Sequence, residues 1–80
     1  MTITALFFAS YADVFGRSQM EMEVPNGSTV GELLRHLQSL DPERRLPPAP
    51  LVPVNERYAR PDQVLRHGDE VAVIPPVAGG

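Results

Sequence analysis

The sequence predicts an α+β fold: a mixed β-sheet with one main helix packed on one face. Three observations carry this. Residues 2–9 ("TITALFFA") and 70–74 ("EVAVI") are short apolar runs rich in β-branched residues, as in strands at the middle of a sheet. Residues 19–24 ("QMEMEV") alternate polar and apolar, as in a strand with one face on a core. Residues 29–40 carry the clearest helical pattern in the chain.

The first strand spans Thr2 to Ala9 and is apolar on both faces from Ala5 onward. "SYADVFGR" (residues 10–17) reads as a connection closed by Gly16. In the second strand Met20, Met22 and Val24 share one face and Gln19, Glu21 and Glu23 the other. Pro25-Asn26-Gly27 is a turn. Thr29 is then an N-cap, and Glu32 three residues on completes a capping box. Val30, Leu33, Leu34, Leu37 and Leu40 form one apolar stripe. Gly31 weakens the helix by about 0.8–1 kcal/mol relative to Ala, too little to cancel the pattern. Asp41-Pro42 ends it.

Five prolines (Pro42, Pro47, Pro48, Pro50 and Pro53) make the next stretch mostly loop. Leu51 to Val54 is a short strand. Pro53 has no N–H for a ladder, so its side is expected to face an edge or a bulge. Asn55 to Arg57 turns the chain, Asp62 is expected to cap one helical turn at Gln63 to Leu65, and His67-Gly68-Asp69 turns it again. Glu70 to Ile74 is the last strand, placed beside the first because both are apolar on two faces. Pro75 stops the ladder. Two parallel central strands flanked by antiparallel hairpins and crossed by one helix make a β-grasp sheet of the ubiquitin type. The domain is set at residues 1–75 and an extended C-terminal Gly-Gly tail at 76–80.

One helix covers only one face of such a sheet. If Ile3, Ala5, Phe7, Val71 and Val73 face it, then Leu6, Phe8, Ala72 and Ile74 face away, and a patch of that kind marks a protein–protein interface.

Composition narrows the function. Eighty residues make one domain. A net charge of −3 disfavours nucleic acid and anionic membranes. The absence of Cys removes disulfides, thiolate nucleophiles and Cys-ligated metals. All seven basic residues are Arg, so two copies cannot join through a Lys isopeptide bond. No apolar run approaches the roughly 20 residues of a membrane span, and Met1 to Thr4 lack a signal peptide's basic region, so the expected location is the cytoplasm. His36 and His67 have no Cys partner and no short His spacing, so no metal site is expected. Asp62, Asp69 and Glu70 suit turns and strand starts rather than acid–base chemistry. Asn26-Gly27-Ser28 is too short for a phosphate loop, and no bound cofactor is expected.

The tail remains. Gly makes up about 7% of residues, so a terminal Gly-Gly arises by chance in roughly 0.5% of chains. Pro75-Pro76 leaves the sheet stiffly, and Pro76 to Gly80 reach up to about 17 Å. Gly79 and Gly80 have no side chains, so the terminal carboxylate fits a narrow channel. A carboxylate becomes reactive once converted to an acyl-adenylate with ATP, and sulfide can then displace AMP to leave a thiocarboxylate.

"LFFA" (residues 6–9), "TVGELLRHL" (29–37), "VN" (54–55) and "GDEVAVIPPVAGG" (68–80) together resemble the small, sulfur-carrier subunits of molybdopterin synthase, the MoaD type of the MoaD/ThiS family. The resemblance departs at Pro53 and in the Pro-rich loop. It implies a β-grasp, ubiquitin-like carrier that is no enzyme on its own. It implies that the Gly80 carboxylate is adenylated by a ubiquitin-activating-like adenylyltransferase using ATP, and then thiocarboxylated from a sulfur donor protein. The tail would enter the catalytic pocket of the large, MoaE-type subunit in a heterotetramer of two plus two, giving sulfur to cyclic pyranopterin monophosphate. It implies partner contacts at Phe8, Tyr58, Ile74, Pro75, Pro76, Val77, Ala78 and Gly79. Other readings are a sulfur carrier for thiamine thiazole synthesis, a ubiquitin-like modifier joined through Gly80 to target lysines, and a β-grasp binding module that makes no use of its terminus.

Overall fold

Alternation along two strands organises the molecule. The structure, a computed structural model, describes residues 1–41, 43, 46 and 50–76. In chain order these form β1 (Thr2–Phe7), α1 (Ser10–Phe15), β2 (Gln19–Glu23), α2 (Val30–Ser39), β3 (Pro53–Val54), β4 (Arg57–Tyr58) and β5 (Glu70–Val73). The strands make one sheet in the order β2-β1-β5-β3-β4. β1 and β5 run parallel, from Thr4 opposite Glu70 to Phe7 opposite Val73. β2 pairs antiparallel with β1, and β3 pairs antiparallel with both β5 and β4.

Ile3, Ala5 and Phe7 of β1 and Val71 and Val73 of β5 are buried, as are Val30, Leu33 and Leu37 of α2. They form one cluster with Val52, Val54 and Leu65. Each large apolar side chain in it contributes about 1.5–3 kcal/mol by leaving water. Leu40 leaves the expected stripe. It is the C-cap of α2, its N–H bonds back to Leu37 and Gln38 carbonyls, and it is exposed.

The capping box forms as the sequence implies. The Glu32 N–H donates to Thr29 Oγ1, and the Thr29 N–H donates to Glu32 Oε1, both at 3.2 Å. The next two free amides of the first turn find partners elsewhere. Val30 N–H donates to the Gln63 carbonyl at 3.0 Å and Gly31 N–H to the Pro61 carbonyl at 2.9 Å. A Cβ at residue 31 would lie 3.2 Å from that Pro61 oxygen, so Gly31 permits the close approach. These bonds also overturn the helical turn expected after Asp62. The Pro61 and Gln63 carbonyls serve α2 instead, and Val64 forms a bridge with Thr29.

Further expectations are corrected. Residues 10–15 form helix α1 rather than a plain connection. Tyr11 is buried, and Phe15 stacks on Phe7 with ring centroids 4.5 Å apart. β1 stops at Phe7, before Ala9, which turns the chain at φ 50°. Pro53 faces neither an edge nor a bulge. Leu51 opposite Ile74 and Val54 opposite Val71 keep one register, and β4 lies outside β3. In that register Leu51 and Asn55 donate to the Ile74 and Glu70 carbonyls of the last-strand segment at 2.9 and 2.7 Å. Pro53, midway between them, skips a rung, so the strand shrinks to two residues plus a bridge at Leu51.

Arg57, expected in a turn, opens β4. The turn itself is Asn55-Glu56, with φ 51° and 69°. Positive φ at both central residues suits a tight hairpin and favours Gly at the second. Glu56→Gly is therefore expected to stabilise the protein by about 0.5–1 kcal/mol. A urea midpoint below the parent's would sink this account of the turn.

Burial raises the Tyr11 phenol above its ordinary value of 10.0. A raised folded-state value means stability that is intact below pH 10.0 and lost as pH climbs through the folded value. With no Cys or Lys to titrate there, the thermal midpoint should fall at alkaline pH, and Tyr11→Phe should flatten the fall. A parent profile already flat through that range would refute it.

Candidate docking face and tail exit

The face of the sheet away from α2 divides along the strands. At the end where β1 and β5 finish, its side chains are apolar on four of the five strands, with Gln19 of β2 opposite Leu6 at the margin. Leu6 pairs with Ala72, and Pro53 pairs with Tyr58. The register sets Pro53 opposite Ala72, so Leu6, Ala72, Pro53 and Tyr58 form one row across four strands. A second row lies nearer the exit. Ile74 pairs with Leu51, and the Phe8 N–H donates to the Val73 carbonyl at 3.4 Å, extending the β1–β5 ladder beside Ile74. At the other end of the same face stand Thr2, Thr4, Glu21, Glu23 and Glu70, by the pairing of Thr2 with Glu23, Thr4 with Glu21 and Thr4 with Glu70.

Phe8 is 45% exposed, Leu51 44% and Tyr58 83%, whereas Leu6, Pro53, Ala72 and Ile74 are half-buried among their neighbours. Three large apolar side chains thus stand in water at one end of one face. That follows from a sheet whose middle strands are apolar on both sides and whose α2 covers one of them.

The exit joins this apolar end. Ile74 exchanges two backbone hydrogen bonds with Leu51, both 2.9 Å. Neither Pro75 nor Pro76 then has an N–H to continue a ladder on either side. Pro75 is half-buried and Pro76 exposed. The remaining predicted site positions, Val77, Ala78, Gly79 and Gly80, lie outside the described residues. The structure thus brings Phe8, Ile74 and Pro75 to one end of the sheet, with Tyr58 on the outer strand of the same face.

Two of the polar candidates, His67 and Asp69, use their side chains in structural hydrogen bonds. His67 Nδ1 accepts the Thr2 N–H at 3.0 Å. The Asp69 carboxylate accepts the Asn55 side-chain amide at 2.9 Å and the Arg66 N–H at 2.8 Å. The Glu70 N–H donates to Asn55 Oδ1 at 2.9 Å. Asn55 therefore braces the β3–β4 hairpin against the start of β5. His36 and Asp62 are exposed. Among the described residues no group of three or more His, Cys, Asp or Glu is placed to hold a metal ion, and no helix is long and apolar enough to cross a membrane. On this face Leu51 is an exposed apolar residue that sequence reasoning missed. Its pairing with Ile74 was the available signal, and the neighbouring prolines hid it.

A mixed sheet in this order, with α2 across one face, defines a ubiquitin-like β-grasp protein. The model described as the ThiS family matches residues 5–80, and the chain belongs to that family. It is 38% identical over 80 residues to the molybdopterin synthase sulfur carrier subunit of Mycobacterium tuberculosis, covering 98% of this chain and 96% of that one. Its structure resembles the crystal structure of H. volcanii small archaeal modifier protein 1, with a TM-score of 0.82 and 28% identity over 95% of this chain and 98% of that one. The fold is also that of a chain in the protein–protein complex of subunits 1 and 2 of molybdopterin-converting factor from Helicobacter pylori. There the TM-score is 0.71 and the identity 20%, with all of both chains covered.

The two faces predict opposite responses at adjacent residues. Phe7→Ala should cost about 3 kcal/mol or more, because it empties a core site. Phe8→Ala should cost less than about 1 kcal/mol. Equal losses on chemical denaturation would overturn the assignment of faces.

Proposed function

We propose that this protein is the sulfur carrier subunit of a molybdopterin synthase. The observation that carries the reading is the continuity between the exposed apolar end of the sheet and the Ile74-Pro75-Pro76 exit. A protein that receives the tail is thereby offered an apolar surface to rest on. The name and full-length identity of the Mycobacterium tuberculosis relative support the same reading.

In this mechanism residues 76–80 form an extended tail on a β-grasp domain. A ubiquitin-activating-like enzyme joins the Gly80 carboxylate to AMP, releasing pyrophosphate from ATP. A sulfur donor protein delivers sulfide, the acyl–phosphate bond breaks, AMP leaves, and a thiocarboxylate remains at Gly80. The carrier then docks on the large subunit through Phe8, Tyr58 and Ile74, with Pro75 to Gly79 along the channel. The thiocarboxylate sulfur attacks a carbon of cyclic pyranopterin monophosphate in the large subunit's pocket and displaces an oxygen substituent. Water then cleaves the resulting thioester, returning Gly80 as a carboxylate and leaving the sulfur on the pterin. Two such transfers complete the dithiolene, in a cytoplasmic assembly of two carriers and two large subunits. The carrier supplies a reagent and a docking surface, and the large subunit supplies the catalytic groups. It binds no cofactor itself.

A second reading is favoured by the likeness to the H. volcanii small archaeal modifier protein. The activated Gly80 would then acylate a lysine amine on a target. One set of measurements separates the two. Deleting Gly80 should abolish molybdopterin formation by at least about a thousandfold, since no other residue replaces the reacting group, and should leave the melting temperature unchanged. Intact mass of protein from its native host should show one oxygen replaced by sulfur. Undiminished molybdopterin synthesis by the truncated chain would end the carrier reading, and isopeptide-linked adducts in place of thiocarboxylate would establish the modifier.

A further inference from the structure

We infer that Leu51 is an anchor of the docking face, seated in an apolar recess of the same partner that takes the tail. The inference rests on the carrier reading above and adds a residue to it. Leu51 is 44% exposed. Its backbone is nevertheless fixed, because it both donates to and accepts from Ile74 at 2.9 Å. In an antiparallel pair of this kind the Cα atoms are about 5.5 Å apart and the side chains share a face. Ile74 immediately precedes the Pro75-Pro76 exit. Leu51 therefore stands one strand from the point where the tail leaves. Tyr58, on β4, stands two strands from β5, about 10 Å away.

A protein that grips residues 76–80 must lie against this end of the sheet. It meets Leu51 before it meets Tyr58. Phe8, Ile74 and Leu51 lie on three neighbouring strands, a triad about 10 Å wide with the exit at its middle residue. Clusters of this kind, central and fully desolvated on docking, carry most of an interface's affinity. Leu51 brings a half-exposed apolar side chain on an ordered backbone, so docking it costs little further ordering. The recess that fits it is apolar, since a polar one would be left unpaired by a leucine.

The test uses the full chain and the purified large subunit from the same organism, with binding measured by calorimetry. Leu51→Ala should weaken association about tenfold and Leu51→Asp more than about a hundredfold. Leu40→Ala, at the C-cap of α2 and equally exposed, should stay within about twofold. Thermal midpoints check folding, and if Leu51→Asp melts early, Leu51→Ala carries the test. If both Leu51 variants bind like the parent while Phe8→Ala is weakened, the anchor is wrong and the carrier reading stands. If the parent itself does not bind the large subunit, both fall together.

Discussion

The parallel pairing of β1 with β5 is the constraint on which the rest depends. The two strands lie far apart in the chain, and Thr4 opposite Glu70 through Phe7 opposite Val73 joins them at the middle of the sheet. Parallel pairing makes their carboxyl ends coincide. The residue after β1, Phe8, and the residue after β5, Ile74, therefore arrive at the same end of the same face. A one-residue slip in this register would bury Leu6 and Phe8 and expose Ala5 and Phe7. The helix stripe prevents the slip, because Val30, Leu33 and Leu37 pack in one cluster with Ile3, Ala5, Phe7, Val71 and Val73.

The apolar surplus on the outer face follows from the same pairing. A strand flanked on both sides uses its polar backbone groups internally, so apolar residues on both of its faces cost nothing in hydrogen bonding. What they cost is water contact on whichever face has no second layer. Here that cost falls at the exit end, where Phe8 and Leu51 are half exposed. Toward the other end, Thr4, Glu21 and Glu70 keep the face polar. The surplus is thus confined to the part of the sheet next to the tail.

The central strands, the capped helix and the outward parity were legible because each rests on a repeating pattern of several residues. The elements that were missed are short. Helix α1 has six residues, too few for a helical period, and its identity comes from Tyr11 and Phe15 packing onto the sheet. Of the β3–β4 hairpin a short strand and a turn were expected; the two-residue β4 was not, because the tight turn before it carries Glu56 where Gly would have marked its second position. The segment around Asp62 has turn-forming residues, yet the Pro61 and Gln63 carbonyls are taken by the first amides of α2, a long-range demand that local sequence does not encode. The candidate site divides in the same way. The Ile74-Pro75-Pro76 exit and Phe8 were legible from parity. Leu51 was not, because its position depends on a pairing that survives despite Pro53.

The prolines near the sheet end act on opposite sides of one strand pair. Pro53 removes a rung within the β3–β5 ladder from the β3 side. On the β5 side the next donor after Ile74 in the same alternation is residue 76, also a proline, while the N–H missing at Pro75 is on the side of β1. Between them the Leu51–Ile74 bridge keeps both of its hydrogen bonds. Among the described residues that bridge is the backbone pairing nearest the tail. It sets where the chain leaves the sheet. In the carrier reading this separates two tasks that conflict. Docking needs ordered apolar side chains, which Phe8, Leu51 and Ile74 supply on neighbouring strands. Delivery needs a thin, unpaired terminus that can enter more than one enzyme in turn, first to be activated and then to give up sulfur. A ladder continuing past Ile74 would have kept the tail in the sheet, and a sheet ending earlier would have left the docking residues without a rigid base.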